Sequence, residues 1–207
     1  MLFEDEYLAL IHKPAGVLVS GNRFKTITHA LPQNLAPSTL SDATLPQPVH
    51  RLDYATTGIL LVGKTRSSIR ALNNMFENKE VGKTYYAIAI GEMSEVGTIA
   101  SEIDGKQSRS GYVVQQSVPS KRFGQLNLVR LTPQSGRRHQ LRKHLSGIEN
   151  PILGDREYGA EGLVLTGKGL YLHAYSLEFI HPLTAQKIYV TDELPQRFRK
   201  IFGGVKE

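Results

Sequence analysis

Residues 50–58 place an acidic side chain among groups that could make it reactive. They read His-Arg-Leu-Asp-Tyr-Ala-Thr-Thr-Gly, so Asp53 follows His50 and Arg51 and precedes two hydroxyl side chains. A carboxylate in such a setting can attack or stabilise an electrophilic carbon without a metal ion. We interpret this segment as a short loop that carries a candidate catalytic aspartate.

A second dense segment reads Gly-Arg-Arg-His-Gln-Leu-Arg-Lys-His-Leu and holds four cations within seven residues. We predict a helix over about 137 to 146, on which Arg138 and Arg142 share one face at i, i+4 while Leu141 and Leu145 form the buried stripe. Like charges at that spacing repel by about 0.2–0.5 kcal/mol per pair, which an anionic partner would offset. The pattern is equally typical of a solvated basic helix.

Residues 58–65 match the phosphate-binding expression G-x-x-x-x-G-K-[ST] to the letter. A phosphate cradle needs a polar, flexible loop after a strand, but its four middle residues are Ile, Leu, Leu and Val, and residues 53–57 are not strand-like. No later apolar run ending in Asp offers the magnesium ligand that nucleotide hydrolases use. We therefore predict a buried strand with a basic end.

The histidines and serines give no sign of a metal centre or a serine nucleophile. The seven histidines include no H-E-x-x-H pattern and no helical pair at i, i+4, since His139 and His144 are five residues apart. No G-x-S-x-G elbow is present. With no cysteine, thiolate zinc sites, iron–sulfur clusters, disulfides and a cysteine nucleophile are excluded as well. We predict no metal site.

The composition is that of an ordinary globular protein with a basic surface. Of 207 residues, 40% are hydrophobic and 21% charged, and the formal net charge is +6. A sequence pI near 9.5 is a common footprint of a polyanion binder, although many basic proteins bind no nucleic acid. No run approaches a membrane span, and the acidic start does not resemble a secretory signal. We predict a cytoplasmic protein.

Strands dominate the predicted elements, and they follow one another more often than they alternate with helices. We therefore predict one α+β domain over residues 1–207 with a large, mostly antiparallel mixed sheet flanked by a few helices. Residues 26–48 read as a loop with one helical turn near 26–31. The predicted strands are 8–11, 17–19, 59–62, 83–90, 111–115, 125–131, 169–180 and 186–190, and the predicted helices are about 66–78, 137–146 and 195–202.

The two dense segments resemble signatures of the RluA-type pseudouridine synthases. H-R-L-D-x-x-T-[ST]-G-x-L-L matches residues 50–61 at every fixed position, and G-R-x-H-Q-[IL]-R-x-H-L matches residues 136–145. The second block continues into Pro-Ile-Leu-Gly-Asp at 151–155. Lys-Pro-Ala-Gly at 13–16 and Lys-Thr-Tyr-Tyr-Ala at 83–87 are similar to further blocks of the family. The resemblance covers nearly the whole chain, in the family's order.

This resemblance implies an isomerase that converts uridine to pseudouridine in RNA and needs no cofactor. Asp53 would be the nucleophile that breaks the glycosidic bond, and it would leave after the base has rotated and rejoined through C5. Arg142 would pair with Asp53 and hold it ionised. Tyr85 would stack on the uracil ring, with Lys83 as a supporting cation.

The resemblance also implies how RNA would be held. The target nucleotide must be flipped out of its stack, and Arg51 is similar to the arginine that fills the vacated space. His50 and Thr56 are expected to support the loop rather than to transfer a proton. Candidate phosphate contacts are Arg137, Arg138, Lys143, Lys121 and Arg122.

The substrate is expected to be a structured RNA, either a tRNA or an rRNA stem-loop. No basic S4-type domain precedes the opening strand, so RNA would be recognised by the catalytic domain's own surface, which favours a compact tRNA. We expect a monomer with no membrane association. The alternative is a non-catalytic RNA-binding or RNA-chaperone protein on the same fold.

Overall fold

The computed structural model describes residues 1–22, 25–165 and 167–203, in which ten strands and four helices are found. The strands are β1 Phe3–Glu4, β2 Leu8–Lys13, β3 Ala43–Pro48, β4 Thr57–Thr65, β5 Gly82–Ile90, β6 Val96–Ile103, β7 Lys106–Ser120, β8 Gly124–Pro133, β9 Leu172–Ile180 and β10 Lys187–Thr191. The helices are α1 Ile27–Asn34, α2 Arg66–Glu77, α3 Gln140–Gly147 and α4 Gln196–Phe202. The α+β class and the large, mostly antiparallel sheet with a few helices are confirmed.

The chain forms two compact units, the first built from residues 1–83 and 174–192. In this unit the strands follow the order β1-β2-β4-β9, with β3 also paired to β4 and β10 to β9. Apolar side chains of β2, β4 and β9 pack against Leu72 and Met75 of α2 to form its core. The buried residues of α2 are Ser68, Leu72 and Met75, which are four and three residues apart and therefore share one helix face.

Strand β4 decides between the two interpretations of residues 58–65, because all nine of its residues are buried. Lys64 Nζ lies 2.9 Å from a carboxylate oxygen of Glu4 and is 2% exposed, so the lysine of the phosphate-binding expression has a structural partner. Gly58 has a φ of +114°, and a Cβ there would overlap the carbonyl oxygen of Ala174. The glycine is therefore required by close strand packing.

Thr65 ends β4 and starts α2 at the same residue. Its Oγ1 accepts a hydrogen bond from the backbone N–H of Ser68 at 3.1 Å, and the Ser68 hydroxyl accepts one from the N–H of Thr65 at 3.2 Å. This reciprocal cap satisfies two donors at the helix start. The cap fixes the C-terminal end of β4, and the loop that carries Asp53 precedes the N-terminal end of the same strand.

The second unit contains residues 84–173 and 193–207. Its strands follow the order β5-β8-β7-β6, and every neighbour in that order is antiparallel. The register of β7 against β8 shifts between Val114 and Gln116, where one residue bulges out of the ladder. Strand β6 was not predicted from the sequence, because only Ile99 and Ile103 of its eight residues are buried and they show no period of two.

Helix α3 begins later than the sequence predicts. His139 has a φ of +56°, so the chain turns through the left-handed region immediately before the first helical residue, Gln140. The prediction that Arg138 and Arg142 share one helix face is therefore wrong. Arg138 precedes the helix and is exposed, whereas Arg142 lies on the helix and is only 8% exposed.

Other predicted boundaries in the first unit also need correction. Residues 17–19 are not a strand, although Leu18 makes an isolated bridge to Thr26. The segment 26–48, predicted as a loop with one helical turn near 26–31, contains α1, which includes most of that turn, and β3, which was not predicted. The prolines of β3 argue against a strand, but Pro46 lies where the pairing with β4 is irregular and Pro48 is the last residue of the strand.

A buried polar network fixes α3 to β7. Ser108 Oγ donates to the carbonyl of Ser101 at 2.7 Å, so it must accept from Nε2–H of His144 at 2.9 Å. Nδ1 of His144 then accepts from Ser110 Oγ at 3.0 Å, and Ser110 accepts from Gln140 Nε2 at 3.0 Å. Burial lowers the pKa of His144, which agrees with this neutral tautomer.

We predict that His144→Leu lowers the free energy of unfolding by about 2 kcal/mol, because the buried hydroxyl of Ser110 would lose its acceptor. Urea unfolding followed by circular dichroism measures this. Lys143→Gln is the matched control on the same helix. Lys143 pairs with Asp104 at 3.3 Å in an exposed setting, so its replacement should cost at most about 0.5 kcal/mol. Equal losses in the two variants would contradict the role of the network.

Candidate active site

The loop that carries Asp53 is closed by backbone hydrogen bonds. The N–H of Thr56 donates to the carbonyl of Asp53 at 3.1 Å, and the N–H of Gly16 donates to the carbonyl of Tyr54 at 2.8 Å. Asp53 is half-buried, whereas Arg51 and Tyr54 are exposed. The aspartate thus sits on a loop that is tied to the turn after β2, and the residue is partly exposed to solvent.

Lys13 is the buried anchor of this loop. It is 0% exposed, and its ammonium donates to the carbonyls of Pro14 at 2.8 Å, Val17 at 2.9 Å and Tyr54 at 3.4 Å. Burial lowers the pKa of Lys13 to about 8, and the negative charge of Asp53 opposes that shift. Lys13 was not predicted as a site residue, although it begins the Lys-Pro-Ala-Gly block at 13–16 that is similar to the family.

His50 has a structural setting on the other side of the loop. Its Nε2 accepts a hydrogen bond from the N–H of Leu61 at 2.9 Å, and its ring stacks on Phe76 with centroids 4.7 Å apart. Burial lowers the pKa of His50 to about 3, and the charge of Lys83 contributes. The imidazole is therefore neutral with its proton on Nδ1, and the Nε2 lone pair is occupied by β4. This setting suits the supporting role expected for His50.

Two further supporting residues lie in the first unit. Lys83 Nζ lies 5.8 Å from the centroid of the Phe76 ring, and burial lowers the pKa of Lys83, with the charge of Lys79 adding to the effect. Thr56 is buried, and its Oγ1 has no hydrogen-bond partner among the residues that the structure describes. Both side chains are placed by the loop and by the start of β5 rather than by a regular helix.

Arg142 is held by a carboxylate that the sequence analysis did not single out. Its Nε donates to Asp155 Oδ2 at 2.7 Å and its Nη2 donates to Asp155 Oδ1 at 2.8 Å, which is a bidentate pair. Glu157 accepts from Nη2 at 3.2 Å. Burial opposes ionisation of Asp155, but hydrogen bonds from Arg142 and from the backbone of Tyr158 outweigh it, so the pKa of Asp155 is lowered.

The sequence predicted Asp53 as the partner of Arg142, and that pairing stays a prediction. The bonds to Asp155 and Glu157 use Nε and Nη2 of the guanidinium, so a pairing with Asp53 would have to use Nη1. Asp155 is the last residue of the Pro-Ile-Leu-Gly-Asp block, which continues the second family-like segment. Its place in that block is the signal that could have identified it.

The remaining candidates of the second unit lie on its strands and loops. Tyr85 is half-buried on β5, opposite Leu131 of β8. Lys121 and Arg122 are exposed at the β7–β8 turn, where the Arg122 guanidinium lies 5.1 Å from the ring of Phe123. Arg137 is half-buried and Arg138 exposed before α3, whereas Lys143 pairs with Asp104.

A search of residues 1–22, 25–165 and 167–203 found no group of three or more histidine, aspartate or glutamate side chains arranged to hold a metal ion. Within the same residues no helix is long and apolar enough to cross a membrane. The chemistry available at these positions is that of carboxylates, cations, a phenol and backbone groups.

The family model described as RNA pseudouridylate synthase matches residues 7–147. The ribosomal large subunit pseudouridine synthase C of Pasteurella multocida is 34% identical, with 100% of this chain and 68% of the relative covered. The tRNA pseudouridine synthase C of Haemophilus ducreyi is 32% identical, with 98% and 94% covered. Among solved structures, human RNA Pseudouridylate Synthase Domain Containing 4 is 26% identical with a TM-score of 0.75, over 95% of this chain and 89% of that one.

These similarities extend over the segments that carry the candidate residues. The family match spans the loop of Asp53, the strand of Tyr85 and the helix of Arg142. The identity to the first relative extends over the whole chain, and the structural similarity reaches nearly as far. The chain therefore belongs to the RNA pseudouridylate synthase family, whose members are isomerases acting on RNA.

Proposed function

We propose that this isomerase converts a specific uridine of a structured RNA to pseudouridine, with Asp53 as the nucleophile, Arg142 as its partner and Tyr85 as the residue that stacks on uracil. The observation that carries this is the setting of Asp53. Its loop is tied down by the buried ammonium of Lys13, while the residue Asp53 is half-buried. A fixed loop with a partly exposed aspartate suits nucleophilic catalysis.

The proposed reaction is balanced without any added reagent. The carboxylate of Asp53 assists cleavage of the bond between C1′ of the ribose and N1 of uracil, and the base then rotates. A new bond forms between C1′ and C5, the proton of C5 is lost, and N1 gains a proton. Product and substrate are isomers, which is why no cofactor is proposed.

The surroundings of the other proposed groups support their roles. The guanidinium of Arg142 is permanently charged and rigidly held, as a partner for an anionic nucleophile must be. Tyr85 is half-buried on β5, so part of the residue is accessible, and a phenol ring is a suitable surface for stacking a base. Arg51 is exposed beside the nucleophile, which suits a side chain that replaces a flipped nucleotide in the stack.

We predict that Asp53→Asn abolishes pseudouridine formation and leaves the Kd for RNA within about threefold, because the amide keeps the shape but is not a nucleophile. Release of tritium from RNA labelled at C5 of uridine measures turnover, and filter binding measures affinity. Asp104→Asn, an exposed carboxylate, is the control that should keep full turnover. An active Asp53→Asn enzyme would favour the alternative of a non-catalytic role for this loop.

We predict that Lys121→Ala reduces the salt dependence of RNA binding by about one unit in the slope of log Kd against log salt, because one phosphate contact releases about one counterion. The proposed phosphate contacts also include Arg122, Arg137, Arg138 and Lys143. Lys187→Ala is the control, since Lys187 pairs with Glu178 on the first unit and is outside the proposed footprint. A slope unchanged by Lys121→Ala would remove this lysine from the footprint.

We infer that tRNA is preferred over rRNA. The relatives carry both kinds of name, and the identities of 34% and 32% do not separate them. The match extends over 94% of the tRNA enzyme but 68% of the ribosomal one, so the shared residues account for more of the tRNA enzyme. A compact substrate also suits recognition by the catalytic domain's own surface.

We predict that unmodified tRNA transcripts are modified at least tenfold faster than fragments of large-subunit rRNA under single-turnover conditions. Tritium release followed by mapping of the modified position measures both rates with the same enzyme sample. Asp53→Asn supplies the background for each RNA. Faster modification of an rRNA fragment would reverse the assignment of substrate and leave the assignment of chemistry intact.

We also propose that the enzyme acts as a monomer in the cytoplasm. The sequence contains no cysteine, which suits a reducing compartment because no disulfide is available to stabilise the fold elsewhere. Each proposed role above belongs to one copy of the chain, so the proposed chemistry requires no second subunit.

A further inference from the structure

Three residues of one short segment, 155–158, contact the guanidinium of Arg142. Asp155 forms the bidentate pair described above, and Glu157 accepts a further bond from Nη2. The guanidinium carbon lies 4.8 Å from the centroid of the Tyr158 ring. We call residues 155–158 the clamp.

The clamp is itself held in place by hydrogen bonds within its own turn and to the helix region around α3. Oδ1 of Asp155 accepts from the backbone N–H groups of Glu157 at 3.0 Å and Tyr158 at 3.1 Å, which closes a tight turn. The carbonyl of Tyr158 accepts from Ser146 Oγ of α3 at 2.8 Å. His139 Nδ1 lies 3.0 Å from the Tyr158 hydroxyl. The clamp is thus attached to both ends of the helix that carries Arg142.

Asp155 and Glu157 differ in burial, and so they differ in how firmly each can hold the guanidinium of Arg142. The Asp155 side chain is 0% exposed, whereas that of Glu157 is 52% exposed. A buried carboxylate that satisfies a guanidinium edge and two backbone donors holds one geometry, while an exposed one is solvated and contributes little. Asp155 is therefore the residue that fixes the orientation of Arg142.

We propose that Asp155 is a positioning residue of the isomerase, which holds the Nε and Nη2 edge of Arg142 and so sets where its Nη1 nitrogen meets the reacting groups. This inference rests on the proposed catalytic role of Arg142. An arginine side chain has several rotatable bonds, so without a fixed edge its guanidinium would sample many positions. A displacement of about 1 Å at a catalytic group can cost as much as about 100-fold in rate.

The test is the kcat of Asp155→Asn on the RNA that the wild-type enzyme modifies. We expect kcat to fall by about 10- to 100-fold while the Kd for RNA changes less than threefold, because orientation and not affinity is lost. In ¹⁵N spectra, the Nε–H signal of Arg142, assigned by its loss in Arg142→Lys, should shift and broaden in Asp155→Asn. A residue with only a structural role would lower the melting temperature without changing the turnover of the folded protein.

Asp192→Asn is the matched control, because Asp192 is a largely buried carboxylate that is hydrogen-bonded to His12. It should lower stability and keep kcat within threefold. Should Asp155→Asn fail to fold, Asp155→Glu keeps the charge and displaces the carboxylate by one methylene group, and its kcat should fall at least tenfold. A folded Asp155 variant with kcat within threefold of wild type would overturn the proposal. An active Asp53→Asn enzyme would instead overturn the proposed function, so the two failures are distinguishable.

Discussion

The ion pair between Arg142 and Asp155 joins helix α3 to the turn at residues 155–158 in the second unit. An arginine at 8% exposure is stable only when its donors are satisfied, and Asp155 satisfies two of them in a bidentate geometry. Removal of one partner from such a pair typically costs about 3–5 kcal/mol, since the other charge stays buried. The same pair therefore connects α3 to the turn at 155–158 and fixes the orientation of the guanidinium.

The first unit also contains a buried cation whose donors are satisfied, but its partners are backbone carbonyls instead of a carboxylate. Lys13 is fully buried, and its ammonium gathers three backbone oxygens, one of them from the residue after Asp53. In both units a buried cationic side chain is fixed by a hydrogen-bond partner on another segment of the chain. The polar network of His144 extends the principle, because it fixes the helix that carries Arg142.

Much of the fold was predictable wherever local pattern and tertiary setting agree. The apolar run at 59–62 predicts a buried strand, and β4 is buried throughout. The spacing of apolar residues in 66–78 predicts a helix with one buried face, and α2 has such a face. The start of α3 was not predictable, since a basic run reads as helix while the backbone at His139 takes a left-handed turn. Strand β6 was missed because its pairing with β7, rather than its own pattern, makes it a strand.

The sequence alone determined the family and the identity of the proposed catalytic groups, because spaced motifs such as H-R-L-D record which side chains the chemistry needs. It also determined that the lysine of the phosphate-binding expression follows an apolar run. Only the tertiary structure decided which partners these groups have: carbonyls around Lys13, Asp155 against Arg142, Leu61 against His50. These partners lie on other segments of the chain, and a local pattern does not specify them because the contacts form only when the segments pack together.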